Sequence, residues 1–196
     1  MNKRSAILFS IIVLLECIAM AYIFTVEGPA GIRFYTVNSN ILLLLSAIGY
    51  LACFASGKEI PKALTVLHLT ATVCLSITFL IAALVLAPQS SYDAYFIDNV
   101  ASIVHFFGPV LSVVTLMMRR EEIPKYAVCV PALISILYGG IALILNAVRV
   151  MKGPYFFLEV YSTPPGTIAM WFGIIFVLCV VLTAGYMFIH RKVSKA

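Results

Sequence analysis

Few residues in this chain can do chemistry, and each sits within apolar sequence. Glu16 lies near the middle of an apolar run, where an ionised carboxylate costs about 2.5–3.5 kcal/mol on insertion scales, so it must be protonated or paired and must face other protein. His68 and His105 are its candidate partners. Counted from one common side, Glu16 lies about 16 Å along its helix, His105 about 20 Å and His68 about 9 Å, so His105 is the closer match. Pro109 follows His105 by four residues. It lacks the N–H that would bond the His105 carbonyl, which predicts a kink there, with Gly108 giving room. A His at a kink, with Ser102 one turn earlier, fits packing or an acid–base group beside a cavity. Thr36, Ser39 and Asn40 share one helical face at i, i+3 and i+4. They fit a cap and interhelix glue, and equally a hydroxyl nucleophile with amide donors nearby.

The elements that must position these groups follow from composition. Hydrophobic residues make up 63% of the 196 residues and charged residues 11%, with a mean hydropathy of +1.08. Soluble domains carry roughly a quarter charged residues, so this surface must face lipid. A spanning helix needs roughly 20 apolar residues. Six windows qualify: 5–26, 34–55, 63–87, 99–118, 126–148 and 167–189. Gly28-Pro29, Ser56-Gly57, Pro61, Pro124 and Pro164-Pro165-Gly166 punctuate the connectors. The expected fold is an all-α bundle of six transmembrane helices forming one domain over 1–196. Met1-Asn2-Lys3-Arg4 before the first run resembles a signal peptide, but the run is long and lacks a small-residue cleavage site, so a retained helix is expected.

Lys3, Arg4, Lys58, Lys62, Arg119, Arg120, Lys125, Arg191, Lys192 and Lys195 fall on one set of helix ends. Arg33, Arg149 and Lys152 fall on the other. Ten against three places the first set, and both termini, in the cytoplasm. The other side carries an aromatic belt, including Phe34, Tyr35, Tyr92, Tyr95, Tyr155 and Trp171, and the largest loop, 149–166, which is expected to lie along the interface. The net charge of +5 matches this bias. Nucleic-acid binding is not expected, because the cations sit in short connectors and not on a basic patch. Five cysteines in apolar runs form no CxxC pair, and three scattered histidines form no zinc pattern, so no metal or cofactor is expected. Glu59-Ile60-Pro61-Lys62 recurs as Glu122-Ile123-Pro124-Lys125, yet an acidic residue with Pro is an ordinary helix start. The stripes Thr65/His68/Thr72/Ser76, Asp98/Ser102/His105/Ser112 and Ser135/Tyr138/Gly139/Asn146 are expected mainly to glue helices together.

Three blocks resemble the androgen-induced protein / androgen-dependent TFPI-regulating protein family and its bacterial six-helix relatives. They are Arg33-Phe34-Tyr35-Thr36-Val37-Asn38-Ser39-Asn40, Val104-His105-Phe106-Phe107-Gly108-Pro109-Val110, and Gly153-Pro154-Tyr155-Phe156-Phe157-Leu158-Glu159-Val160. Their order and spacing agree with the family over most of the chain. The departure is Gly153-Pro154-Tyr155-Phe156, where a second proline would be expected. Eukaryotic members are intramembrane hydrolases of branched fatty-acid esters of hydroxy fatty acids. The resemblance implies a Thr nucleophile at Thr36, a His base at His105, a lipid or lipid-like ester as substrate, and a bacterial cytoplasmic membrane as the location.

A Thr hydroxyl needs a base to become a nucleophile. Glu16 or Ser102 would orient His105, and Asn38 or Asn40 would donate to an oxyanion. Tyr155 and Glu159 are the remaining candidates for substrate contact, and the expected pocket is lined by Thr36, Asn40, His105 and Glu159. Counted from the outer ends, Thr36 and His105 both lie about 10 Å deep; counted from the cytoplasmic ends they differ by about 10 Å. A tilted second helix favours the outer count. Two other readings fit the same residues: a non-catalytic protein that binds or moves a small amphiphile along a Glu16/His pathway, and a membrane scaffold or regulatory subunit whose stripes only hold helices together.

Overall fold

The computed structural model describes residues 3–195; Met1, Asn2, Ala196 and the Lys195 side chain lie outside this description. Among the described residues there is no strand. The helices are α1 (Lys3–Val26), α2 (Tyr35–Ser56), α3 (Lys62–Ile81), α4 (Tyr92–Phe96), α5 (Gly108–Met117), α6 (Val130–Ala147) and α7 (Pro165–Lys195). Breakers set their ends. α2 stops at Gly57, whose φ of 65° is the left-handed cap that glycine adopts without strain, and its N–H returns to the Cys53 and Phe54 carbonyls. α3 starts after the extended Pro61.

Five helical stretches are long and apolar enough to cross a membrane: Lys3–Val26, Tyr35–Ser56, Lys62–Gln89, Lys125–Ala147 and Pro165–Ser194. Their outward residues are apolar, with Leu14 61%, Leu133 64% and Val181 60% exposed. Such a surface fits a multi-pass membrane protein, because a water-soluble chain would not leave it uncovered. The fourth expected window, 99–118, is shorter than the sequence suggests and gives an apolar helix over Ile103–Met117 only. Asn99 sits at φ 50°, a left-handed conformation that Asn tolerates better than most residues, and it turns the chain just before this helix.

Two turns of π-helix interrupt the regular ladders, at Ala82–Leu86 and Ile103–Phe107. Each ends two residues before a proline. The Ala87 N–H bonds the Ala82 carbonyl and the Gly108 N–H bonds the Ile103 carbonyl, five residues back in both cases. The widened turn keeps the ring of Pro88 or Pro109 from colliding with the preceding carbonyl, as it would in an unbroken α-helix.

α3 is the central helix and packs against α2, α5, α6 and α7. Its polar stripe is buried and, Thr65 apart, satisfied. Thr70, Thr72 and Ser76 donate to carbonyls four residues back, Ser39 and Thr78 lie 3.2 Å apart, and Ser76 meets the Tyr186 hydroxyl at 2.7 Å. His68 is held by Ser46 at 2.9 Å and Thr115 at 3.0 Å, and it meets the edges of Phe9 and Tyr50. These residues act as interhelix glue.

The loop between α6 and α7 does not lie flat along an interface, as the sequence suggests. It folds into the bundle, burying Phe157 and Leu158 against Ala142 and stacking Phe157 on Trp171 at 4.8 Å. Its hinge is polar. The Glu159 carboxylate accepts from Asn146 Nδ2 and from the Gly153 N–H, both at 2.9 Å, while the Val160 N–H returns to Asn146 Oδ1. Gly153 is needed here, because a Cβ would stand 2.6 Å from the Leu158 carbonyl oxygen. The Asn146 amide, then the Gly153 N–H, hold the Glu159 carboxyl below the usual carboxylate range.

A group with a depressed folded value stabilises the fold above the ordinary carboxylate range and loses that contribution as pH falls through the depressed value. We therefore expect thermal unfolding in detergent to show a midpoint that drops on acidification below the ordinary carboxylate range. Glu159→Gln should lower the midpoint at neutral pH and flatten this acid limb. An unchanged limb in the variant would separate Glu159 from loop anchoring.

Candidate active site at the head of α2

Thr36 stands in the first turn of α2. The N–H groups of a first turn have no partners within their own helix, and the macrodipole makes this end positive. One of them, the Tyr35 N–H, donates to the Tyr155 hydroxyl at 3.0 Å. The same hydroxyl lies against both the side chain and the N–H of Thr36. The infolded loop thereby delivers a phenol to the head of α2. Burial raises this phenol above its ordinary value, so it stays a protonated donor.

His105 approaches from the π turn before α5. Its Nδ1 lies 3.2 Å from the Ala101 carbonyl oxygen, and its Nε2 lies 3.5 Å from Thr36 Oγ1. A carbonyl can only accept, so in a neutral ring Nδ1 carries the proton and Nε2 presents its lone pair to the threonine hydroxyl. That is the tautomer a general base requires. The 3.5 Å separation is at the outer limit of a hydrogen bond, as apo sites often are before substrate tightens them. Tyr95 and Phe96 meet the ring edge-on at 5.6 and 6.2 Å and fix its plane.

Thr36, His105 and Tyr155 line one cavity of about 710 Å³, together with Asp98 and apolar side chains such as Ile77, Ile81 and Phe172. The volume is in the range of small-molecule sites, roughly 300–1,000 Å³. Of the two depth counts, the outer one agrees with the observed proximity of Thr36 and His105.

Several expected positions are corrected. Neither Asn40 nor Glu159 lines the cavity. Glu159 is occupied in the loop hinge. Asn38 donates to the Ile32 and Phe34 carbonyls, and Asn40 donates to the Thr36 and Val104 carbonyls at 2.7 and 3.2 Å. Both amides are committed to backbone and cannot also serve an oxyanion. The Ala101 carbonyl orients His105, where Glu16 or Ser102 was expected. Glu16 is 1% exposed, and its Oε2 has no hydrogen-bond partner. Neither histidine bonds it, since the ring nitrogens of both have other partners.

The Pro109 effect falls one residue earlier than the sequence suggests. In the π register, residue 109 would be the donor to Val104, not to His105. Proline cannot donate, so the Val104 carbonyl is open and Asn40 Nδ2 takes it. The Tyr95 ring and the Ala101 carbonyl also escaped the sequence reading. The i−4 spacing of Ala101 from His105 was the one available signal for the carbonyl.

No family model matches the chain, and no curated protein or solved structure matches it.

Gly108 sits where these groups meet. A Cβ there would stand 2.8 Å from Glu16 Oε1, 2.9 Å from Asn40 Oδ1 and 3.1 Å from the Ile103 carbonyl oxygen. Gly108→Ala should cost about 1–3 kcal/mol, the usual range for overpacking, measured as a lowered unfolding midpoint in detergent. A variant as stable as the parent would mean that α1, α2 and the π turn are not packed this closely.

Proposed function

We propose that the chain is an intramembrane hydrolase of lipid esters, with Thr36 as nucleophile and His105 as base. The observation that carries this reading is the pair itself: a hydroxyl 3.5 Å from the free nitrogen of a carbonyl-oriented imidazole, inside a largely apolar cavity. The three ordered blocks resembling the androgen-induced protein family support the same assignment.

Thr36 Oγ attacks the ester carbonyl carbon while its proton passes to His105 Nε2. The developing oxyanion is stabilised by the Tyr155 O–H and the positive head of α2. His105 returns the proton to the departing alcohol, leaving an acyl ester on Thr36. Water then attacks that ester, giving its proton to His105, which passes it to Thr36 Oγ as the carboxylic acid departs. The apolar walls accept the acyl chain, and the surrounding bilayer supplies it sideways.

In this reading six segments cross the bilayer, with both termini cytoplasmic. Lys and Arg distribution supports the orientation. Ile103–Met117 would be the fourth crossing in chain order, short at about 22 Å.

The test is labelling of the purified protein by a serine/threonine-hydrolase probe, compared in Thr36→Ala and His105→Ala. We expect labelling of the parent and a loss of about a hundredfold or more in each variant. Unchanged labelling in both removes the dyad. Tight binding of a fatty-acyl ester without turnover, unaffected by either variant, would instead favour an amphiphile carrier.

A further inference from the structure

Two buried acceptor groups, the Glu16 carboxyl and the Asn40 amide oxygen, both abut Gly108 behind the proposed site. Asn40 is fully buried, and its Nδ2 donates to the Thr36 and Val104 carbonyls. Those two bonds fix the orientation of the amide, because a reversed amide would set its oxygen against both carbonyls. Asn40 Oδ1 therefore points the other way, and it has no partner. Glu16 Oε2 is buried and also has no partner. Glu16 Oε1 and Asn40 Oδ1 converge on the same point beside Gly108, within 2.8 and 2.9 Å of where a Cβ would stand.

A buried acceptor without a donor is costly, and two of them crowded beside one glycine add repulsion. A metal ion would need further open oxygens, whereas the Thr36 and Val104 carbonyls already accept from Asn40 and the Ile103 carbonyl from Gly108. A single proton resolves the arrangement. We propose that Glu16 is a neutral carboxylic acid that donates its proton to Asn40 Oδ1, and that this bond makes Glu16 and Asn40 the positioning residues of the Thr36–His105 pair.

The geometry explains why this matters. Asn40 ties the backbone at Thr36 on α2 to Val104, the residue next to His105, across the turn that Pro109 opens. Glu16 on α1 locks the amide that makes the tie. Neither residue touches the cavity, so neither meets substrate. The positioning role rests on the hydrolase reading, whereas the Glu16–Asn40 bond does not.

Infrared spectroscopy of the protein in lipid nanodiscs tests the bond. The parent should show a protonated-carboxyl C=O band that shifts in D2O and persists at mildly alkaline pH, where exposed carboxylates are ionised. The band should vanish in Glu16→Gln and move to higher frequency in Asn40→Val. Probe labelling tests the role. Glu16→Ala should slow labelling about tenfold or more, the order expected when a reacting group is displaced, and Glu16→Gln, whose amide can still donate to Asn40, should restore it to within a few-fold. Absence of the band in the parent, or a Gln variant as slow as the Ala variant, overturns the proposal. If Thr36→Ala still labels, the hydrolase reading fails, while the infrared result continues to decide the bond.

Discussion

Inside a bilayer, a polar group that loses its partner has no water to replace it. Pro109 removes one backbone donor in the middle of this bundle, and much of the candidate site can be followed from that loss. The helix widens into a π turn, a register in which Val104 presents an open carbonyl. Asn40 closes it from α2 and at the same time holds the Thr36 carbonyl. A break in one helix is thus mended by a second helix, and the mend draws Thr36 and His105 together. Gly108 permits this, since any side chain there would meet three oxygens.

The pair differs from the many other hydroxyls in the bundle by its surroundings. His68 is also flanked by two hydroxyls, but it is 0% exposed and enclosed by Phe9 and Tyr50. His105 opens on a cavity and has one ring nitrogen committed to a carbonyl. The infolded loop completes the contrast by placing the Tyr155 hydroxyl at the head of α2. A phenol, a threonine hydroxyl and an imidazole then share one space with apolar walls. Three elements distant in sequence supply them, so each depends on tertiary packing and not on local motif.

The helices were legible because apolar length is a strong signal, and the central stripe on α3 was legible as glue. The partnership of Thr36 and His105 came from equal depth below the outer helix ends together with block resemblance. What escaped the sequence was geometric. Asn38 and Asn40 looked like oxyanion donors, but whether an amide is free depends on which carbonyls lie in reach. Glu159 looked like a pocket residue because it stands in the third resemblance block, yet Asn146 captures it. Glu16 was placed at the depth of His105, but depth does not give rotation about the helix axis, and its side chain turns toward Gly108. The fourth window was overextended because hydropathy does not register the left-handed turn at Asn99.

The proposed chemistry requires His105 to present an unprotonated Nε2 to the Thr36 hydroxyl. Solid-state nitrogen NMR of histidine-labelled protein in lipid bilayers reads this directly, with His105→Gln assigning the signal. The observed contacts predict a neutral ring protonated at Nδ1, whose Nε2 resonance moves in Thr36→Val while the His68 and His190 signals do not. A ring protonated at Nε2, or an Nε2 signal indifferent to the loss of the threonine hydroxyl, would contradict it.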